Sequence, residues 1–342
     1  MLTPGHLLQD DEPRFGRFSD SLRHADGRAD AGRDAFGRAR GALARELGYK
    51  QFQYFGGMSD TLIFGCALVD LGHSNSVFVY VVDTATGEIF KRSLKRPGHW
   101  GMTLADNPVA GRSHFRGGDV EASQHYRESP RGKSLSVRVG DELEIEADMA
   151  ETAFEPMSLC TRAGYQGWVY ANKTAGLPLT GHLTWRGIRH DLRTLGAMGH
   201  HDFSCGYMRR ETFWNWACLS GLSSGSDGRP VALGLNISCG VNETTHSENC
   251  LWLDGALVPV AGASFDFHRE DVLAPWHVTT LDDAVDLRFT PLGLYQERLN
   301  LGLIASNFRQ VFGRFDGQLR VGGREYPVHG LSGFVEDQFV RW

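Results

Sequence analysis

From residue 49 onward the chain runs in short stretches where apolar and polar residues alternate, and a period of two predicts strands with one buried face. The alternation is clearest at Leu135, Val137 and Val139, then at Leu143, Ile145 and Ala147, with Gly140-Asp141 as the turn between them. Residues 61–69, 76–82 and 88–94 read as further strands, the last two joined by a turn over 83–87. Leu183 with Trp185, and residues 231–237, extend the pattern. Hairpins are expected at Asp254-Gly255, Asp316-Gly317 and Gly322-Gly323, because such pairs accept the positive φ of tight turns. Many short strands at hairpin spacing predict barrels or sandwiches. A barrel removes exposed edges and encloses a cavity.

The first 48 residues break this texture, with Arg and Asp alternating from Arg14 to Asp34. Between about Asp30 and Leu47, the apolar positions Ala35, Phe36, Ala39, Leu43 and Leu47 fit one helical face, and Gly48 stands where a glycine ends a helix. Gly32, Gly37 and Gly41 oppose that helix. The expectation is a mobile leader followed by a short helix lying on the main body, its charges solvated. The polar stretch 172–178 lies near the midpoint and is the expected connection, which gives an extension over 1–48, a first β-barrel-like domain over 49–178 and a second over 179–342.

Composition narrows the function classes. The 342 residues allow two domains, and 41% hydrophobic against 22% charged residues is a globular balance. A net charge of −6 disfavours a dedicated nucleic-acid or anionic-membrane binder. Neither a membrane-spanning apolar run nor a secretory leader is present, so no stable membrane insertion and a cytoplasmic location are expected. The six cysteines show no CxxC spacing and are expected as free, mostly buried thiols. Without an export signal, the sequon at Asn242 carries no meaning. Phosphate loops and Gly-x-Ser-x-Gly elbows are missing, which disfavours nucleotide chemistry.

Residues 199–216 hold the densest chemistry, with His200, His201, Asp202, Tyr207, Arg209, Arg210, Trp214, Asn215 and Trp216 set among strand-like runs. Trp214 and Trp216, two apart, face the same way and suit a pocket wall or a plain core. Asp202 is either a carboxyl kept dry or the partner of Arg209 or Arg210; in the second case its pKa falls. Glu248 and Asn249 before Trp252 supply an acid or hydrogen bond to the same cavity, or else satisfy loop backbone. His200, His201 and Glu248 suggest a metal set, yet adjacent histidines project to opposite faces of a strand and no spaced motif accompanies them, so no metal or cofactor is expected. Glu336-Asp337 with Arg341 reads as a surface or inter-barrel ion-pair cluster.

Gly199-His-His-Asp202, Gly206-Tyr207, the run from Arg209 to Trp216, Gly234-Leu-Asn236, Glu248-Asn249-x-x-Trp252-x-Asp-Gly255 and Pro275-Trp276 follow one another in order. Further on come Val285 to Pro291, Asn300-Leu-Gly302, Gln310-x-x-Gly313-x-Phe-x-Gly317 and Gly333-x-x-Glu336-Asp337 to Trp342. With these motifs the chain resembles the uncharacterised bacterial family DUF2804 from Tyr49 to Trp342, leaving the leader outside the pattern. Its layout is also similar to the lipocalin-like carotenoid 1,2-hydratase group. That resemblance implies a mostly β fold of two consecutive lipocalin-like antiparallel β-barrel or sandwich domains with a short N-terminal helix. It also implies an acidic residue that protonates an isoprenoid double bond, and Asp202 is the position that answers to it, although His201-Asp202-Phe203 departs from the group's own motif.

The expected activity is a cofactor-independent hydratase, dehydratase or isomerase acting on a hydrophobic, isoprenoid-like small molecule. Asp202 would protonate the double bond, with His201 and Tyr207 beside it as catalytic residues. His200, Arg209, Trp214, Trp216, Asn236, Glu248, Trp252 and Trp276 would line the substrate site, the indoles stabilising a developing cation. A non-catalytic lipocalin-like carrier of a lipophilic ligand is the alternative. A sugar-active β-protein, with two carboxyls across a groove, is a third reading. No nucleic-acid partner is expected, and the oligomeric state stays open.

Overall fold

The computed structural model describes residues 1–28, 30, 32–34, 36–225, 228–241 and 246–342. Ala35 of the expected helix and the sequon at 242–244 lie outside the described residues. The structure is built from two curled antiparallel sheets, two lipocalin-like β domains, as the family resemblance implies. The first sheet runs, in spatial order, Ile89–Pro97, Ser74–Asp83, Leu62–Asp70, Lys50–Met58, Met198–Tyr207, Gly167–Trp185, Leu143–Ala150, Arg131–Val139, Val120–Glu128, Gly111–Gly117 and Met102–Thr103. The second is centred on Pro230–Cys239, Glu211–Ser224, Arg324–Arg341, Ala305–Val321 and Val285–Asn300.

Turn chemistry explains most of the hairpins. Asp254 and Gly255 take φ of 49° and 83°, and Gly322 and Gly323 take 57° and 76°, the paired positive values that match a tight turn to strand twist. Asp316-Gly317 is different: Phe315 and Gly317 flank a register shift inside Ala305–Val321, so this pair makes a bulge instead of a turn.

The segment 172–178 is not a connection. It lies inside the long strand Gly167–Trp185, with a bulge between Ala175 and Leu177, and Met198–Tyr207 returns to the first sheet beside Lys50–Met58. The chain passes to the second sheet between Tyr207 and Glu211, so residues expected to open the second domain complete the first sheet.

The leader also differs from expectation. Among the described residues of the leader only Ala42–Gly48 is helical, none of its residues is buried, and Phe36 and Leu43 are exposed. Gly48 stays within the helix, which ends at an extended Tyr49. Leu7, Phe18, Leu22 and Ala25 are fully buried with Tyr49, Trp168, Tyr170, Phe203, Cys205 and Tyr207, so the apolar residues upstream of the helix anchor the leader.

The two sheets face each other across an apolar layer in which Tyr54 meets Trp216 at 6.0 Å, Phe78 meets Phe308 at 5.7 Å and Tyr80 meets Phe312 at 4.7 Å between ring centres. Their backbones come closest at Gly176 and Gly234, where a Cβ on Gly234 would stand 2.3 Å from the Ala175 carbonyl oxygen. Larger residues there would push the sheets apart.

Candidate functional site

Two cross-strand rows confront each other between the sheets. On the first sheet Tyr54, Asp202 and Lys173 are direct neighbours on three adjacent strands. On the second, Trp216, Glu336 and Gln310 are likewise opposite one another on three strands. Side chains alternate along a strand, so each row presents its members to one face.

Lys173 lies at the centre. Its ammonium donates to Glu248 Oε1 at 2.8 Å, stands 3.4 Å from Asp202 Oδ2 and sits 4.4 Å from the centre of the Trp216 ring. Burial alone would lower its pKa, but the Asp202 and Glu248 carboxylates outweigh it and hold the ammonium above the ordinary lysine value. Asp202 also accepts from Ser204 Oγ at 2.6 Å. Burial raises its pKa despite Lys173, and the Glu248 charge adds to the rise. Glu336 accepts the Trp214 indole N–H at 2.9 Å and the Gln310 amide at 3.1 Å; burial pushes its carboxyl up to about 7. Trp216 donates its indole N–H to Asn236 Oδ1 at 2.7 Å, and Asn236 donates to the Glu248 carbonyl oxygen at 3.0 Å, which ties the ring to the acid beside it.

A hydroxyl pair flanks this cluster. The Tyr54 hydroxyl bonds the Tyr80 hydroxyl and, at 2.9 Å, His200 Nε2. Gly56 makes room, since a Cβ there would stand 2.4 Å from His200 Nε2 and 2.8 Å from the Tyr54 hydroxyl. Burial lowers the His200 pKa to about 3, so the ring is neutral at physiological pH. Asp202, Ser204 and Trp214 are only partly buried, and the cluster opens to solvent through them.

The structure thus gathers Asp202, His200, Trp214, Trp216, Asn236 and Glu248 of the expected residues. It separates the others. His201 and Tyr207 have the opposite parity to Asp202 on the same strand: His201 bonds the Tyr126 hydroxyl at 3.2 Å, and Tyr207 packs on Tyr49 and Trp168. Arg209 donates to the Gly240 carbonyl, and Arg210 to main-chain oxygens of Leu303 and Trp342, so neither guanidinium pairs with Asp202. Trp252 stacks on Phe154 at 5.8 Å and donates to the Glu155 carbonyl, while Trp276 stacks on Phe267 at 3.7 Å; both serve the core elsewhere.

Sequence reasoning missed Lys173 and Glu336. Lys173 was absorbed into a supposed connection, although the apolar run Trp168 to Ala171 just before it carries a strand signal. Glu336 does not share the fate of its neighbours: Asp337 pairs with Arg309 and Arg341 with Glu211, while Glu336 turns inward with Phe334, two residues away on the same face. That parity was available in the sequence.

The fold is similar to known structures. A structure described as CghA matches at TM-score 0.56 and 10% identity, covering 85% of this chain and 88% of that one. A putative AttH from Nitrosomonas europaea matches at TM-score 0.51 and 13% identity, covering 85% and 92%. These two likenesses show the shared fold. Kievitone hydratase from Nectria haematococca is similar at TM-score 0.49 and 10% identity, covering 84% and 88%. No curated protein sequence matches the chain. The model of the domain of unknown function DUF2804 matches residues 22–342, taking in the second half of the leader as well as both sheets, and the chain belongs to that family.

Proposed function

We propose that the site between the sheets moves a proton to or from a hydrophobic, unsaturated small molecule, as a cofactor-independent hydratase, dehydratase or isomerase. One observation carries this reading: three carboxyls, the partly buried Asp202 and the buried Glu248 and Glu336, gather around a single ammonium, Lys173. Glu248, the nearer at 2.8 Å, takes the ion pair. Burial raises both Asp202 and Glu336, Glu336 to about 7, and in this reading Asp202 is the acid that gives up a proton.

The chemistry follows from that imbalance. The Asp202 O–H bond breaks as its proton forms a C–H bond with one alkene carbon, and the positive charge left on the other carbon faces the Trp216 and Trp214 rings. Water adds through oxygen to that carbon and returns its surplus proton to the Asp202 carboxylate, which restores the acid. Loss of a proton from the neighbouring carbon of the cation to the Asp202 carboxylate, in place of water addition, shifts the double bond. Dehydration is the hydration run backwards.

The test is deuterium incorporation. Incubating the protein in D₂O with geraniol, linalool and related unsaturated alcohols should place deuterium on carbon, read by mass spectrometry. Asp202→Asn should lower the rate by about 10²- to 10⁴-fold. Unchanged labelling in a folded Asp202→Asn protein sinks the mechanism. A lipid retained in native mass spectra, with no labelled product from the wild type, makes the protein a carrier instead.

A further inference from the structure

We infer a second binding site, for a phosphate group, in the cleft between the leader and the first sheet. This cleft has a volume of about 300 Å³ and is lined by Arg28, Ala42, Arg45, Glu46, Tyr49 and Tyr207. It is separate from the Asp202 cluster, because Tyr207 leaves its strand on the other face.

Three features of the cleft match an oxyanion. Tyr207 is 3% exposed, and its hydroxyl is buried without a hydrogen-bond partner, which is a costly arrangement. The Arg40 guanidinium lies 5.4 Å from the centre of the Tyr207 ring, and Arg45 lines the cleft beside it. Among the described residues, neither Arg40 nor Arg45 forms an ion pair with a carboxylate. The acids nearby are already engaged: Glu46 with Arg28 and His99, Asp70 with Arg28 and His99, and Asp30 with the Trp168 indole N–H.

Burial pushes the Tyr207 phenol up to about 12, so it keeps its proton and acts as a donor. A donor hydroxyl with two uncompensated guanidiniums suits the tetrahedral oxygens of a phosphate, which accept from all three. The Arg28 guanidinium covers the Tyr49 ring at 4.5 Å from its centre and closes that side of the cleft. The helix N-terminus plays no part, since Arg45 acts through its side chain.

The test titrates the full-length protein by calorimetry with inorganic phosphate in one arm and phenyl phosphate in the other. Binding in both arms is expected, because both ligands present the same phosphate oxygens. Tyr207→Phe, which deletes only the unpartnered hydroxyl, and Arg45→Gln should each weaken binding about tenfold, equivalent to about 1.4 kcal/mol. Lack of heat in both arms, or variants that bind as the wild type does, overturns the proposal. Thermal melts of each variant without ligand separate a lost site from a lost fold.

Discussion

Lys133 and Lys173 are both buried, and their surroundings give them opposite characters. Lys133, inside the first barrel, meets Glu151, which Arg131 also approaches at 3.4 Å while pairing with Asp20 at 3.1 Å, so cations and carboxylates balance. Burial lowers the Lys133 pKa, and the nearby Arg131 adds to the drop. Lys173, between the sheets, meets two carboxylates, with the Glu336 carboxyl nearby, and its pKa rises. Both are ion pairs taken out of water, which by itself says little about stability. The first cluster has no proton to spare. The second holds more carboxyls than cations, and burial raises its surplus acid Glu336 to about 7.

The sharpest way to break this comparison is to delete each ammonium. Lys173→Met should cost about 3 to 5 kcal/mol in urea unfolding at pH 7, because Asp202 and Glu248 are left buried together without a cation. Lys133→Met should cost less, since Arg131 still faces Glu151. Equal losses would mean that the carboxylate excess around Lys173 does not matter.

The next effect is a slope with pH. The folded pKa of Glu336 is about 7 against an ordinary 4.5, so its contribution is fully present below pH 4.5 and is lost as pH rises through about 7. That loss is on the order of 3 kcal/mol, and Glu336→Gln should flatten it, as paired unfolding curves at pH 4.5 and 8 would show. A wild-type slope that survives Glu336→Gln points to another buried acid.

Smaller still, Trp216→Phe removes the N–H that Asn236 accepts and weakens the ring beneath Lys173, for about 1 to 3 kcal/mol of stability. Least of all, His201→Gln should leave deuterium incorporation in D₂O unchanged, because His201 stands on the other face of its strand from Asp202.

The candidate site was legible wherever parity and short-range spacing sufficed. Trp214 and Trp216 do share a face, and Asn236 and Glu248 do reach the same cluster. The same rule of two already divided Asp202 from His201 and Tyr207, and grouping them as one catalytic set ran against it. The leader failed for another reason. Its helical spacing was real only over Ala42–Gly48, while burial fell on Leu7, Phe18, Leu22 and Ala25, which follow no regular period. Tertiary packing chose those anchors.

By itself the sequence determined what local sterics control: strands from alternation, tight turns at Asp254-Gly255 and Gly322-Gly323 from positive φ, and a supply of acids and indoles in 199–252. Only the tertiary structure decided which acid meets which cation. Lys173 reaches Glu248 across 75 positions, and Trp214 reaches Glu336 across 122. Charge balance in a buried site depends on every element that packs around it, and burial is what turns that balance into shifted proton affinities. Neither quantity exists in a chain until the sheets have closed on each other.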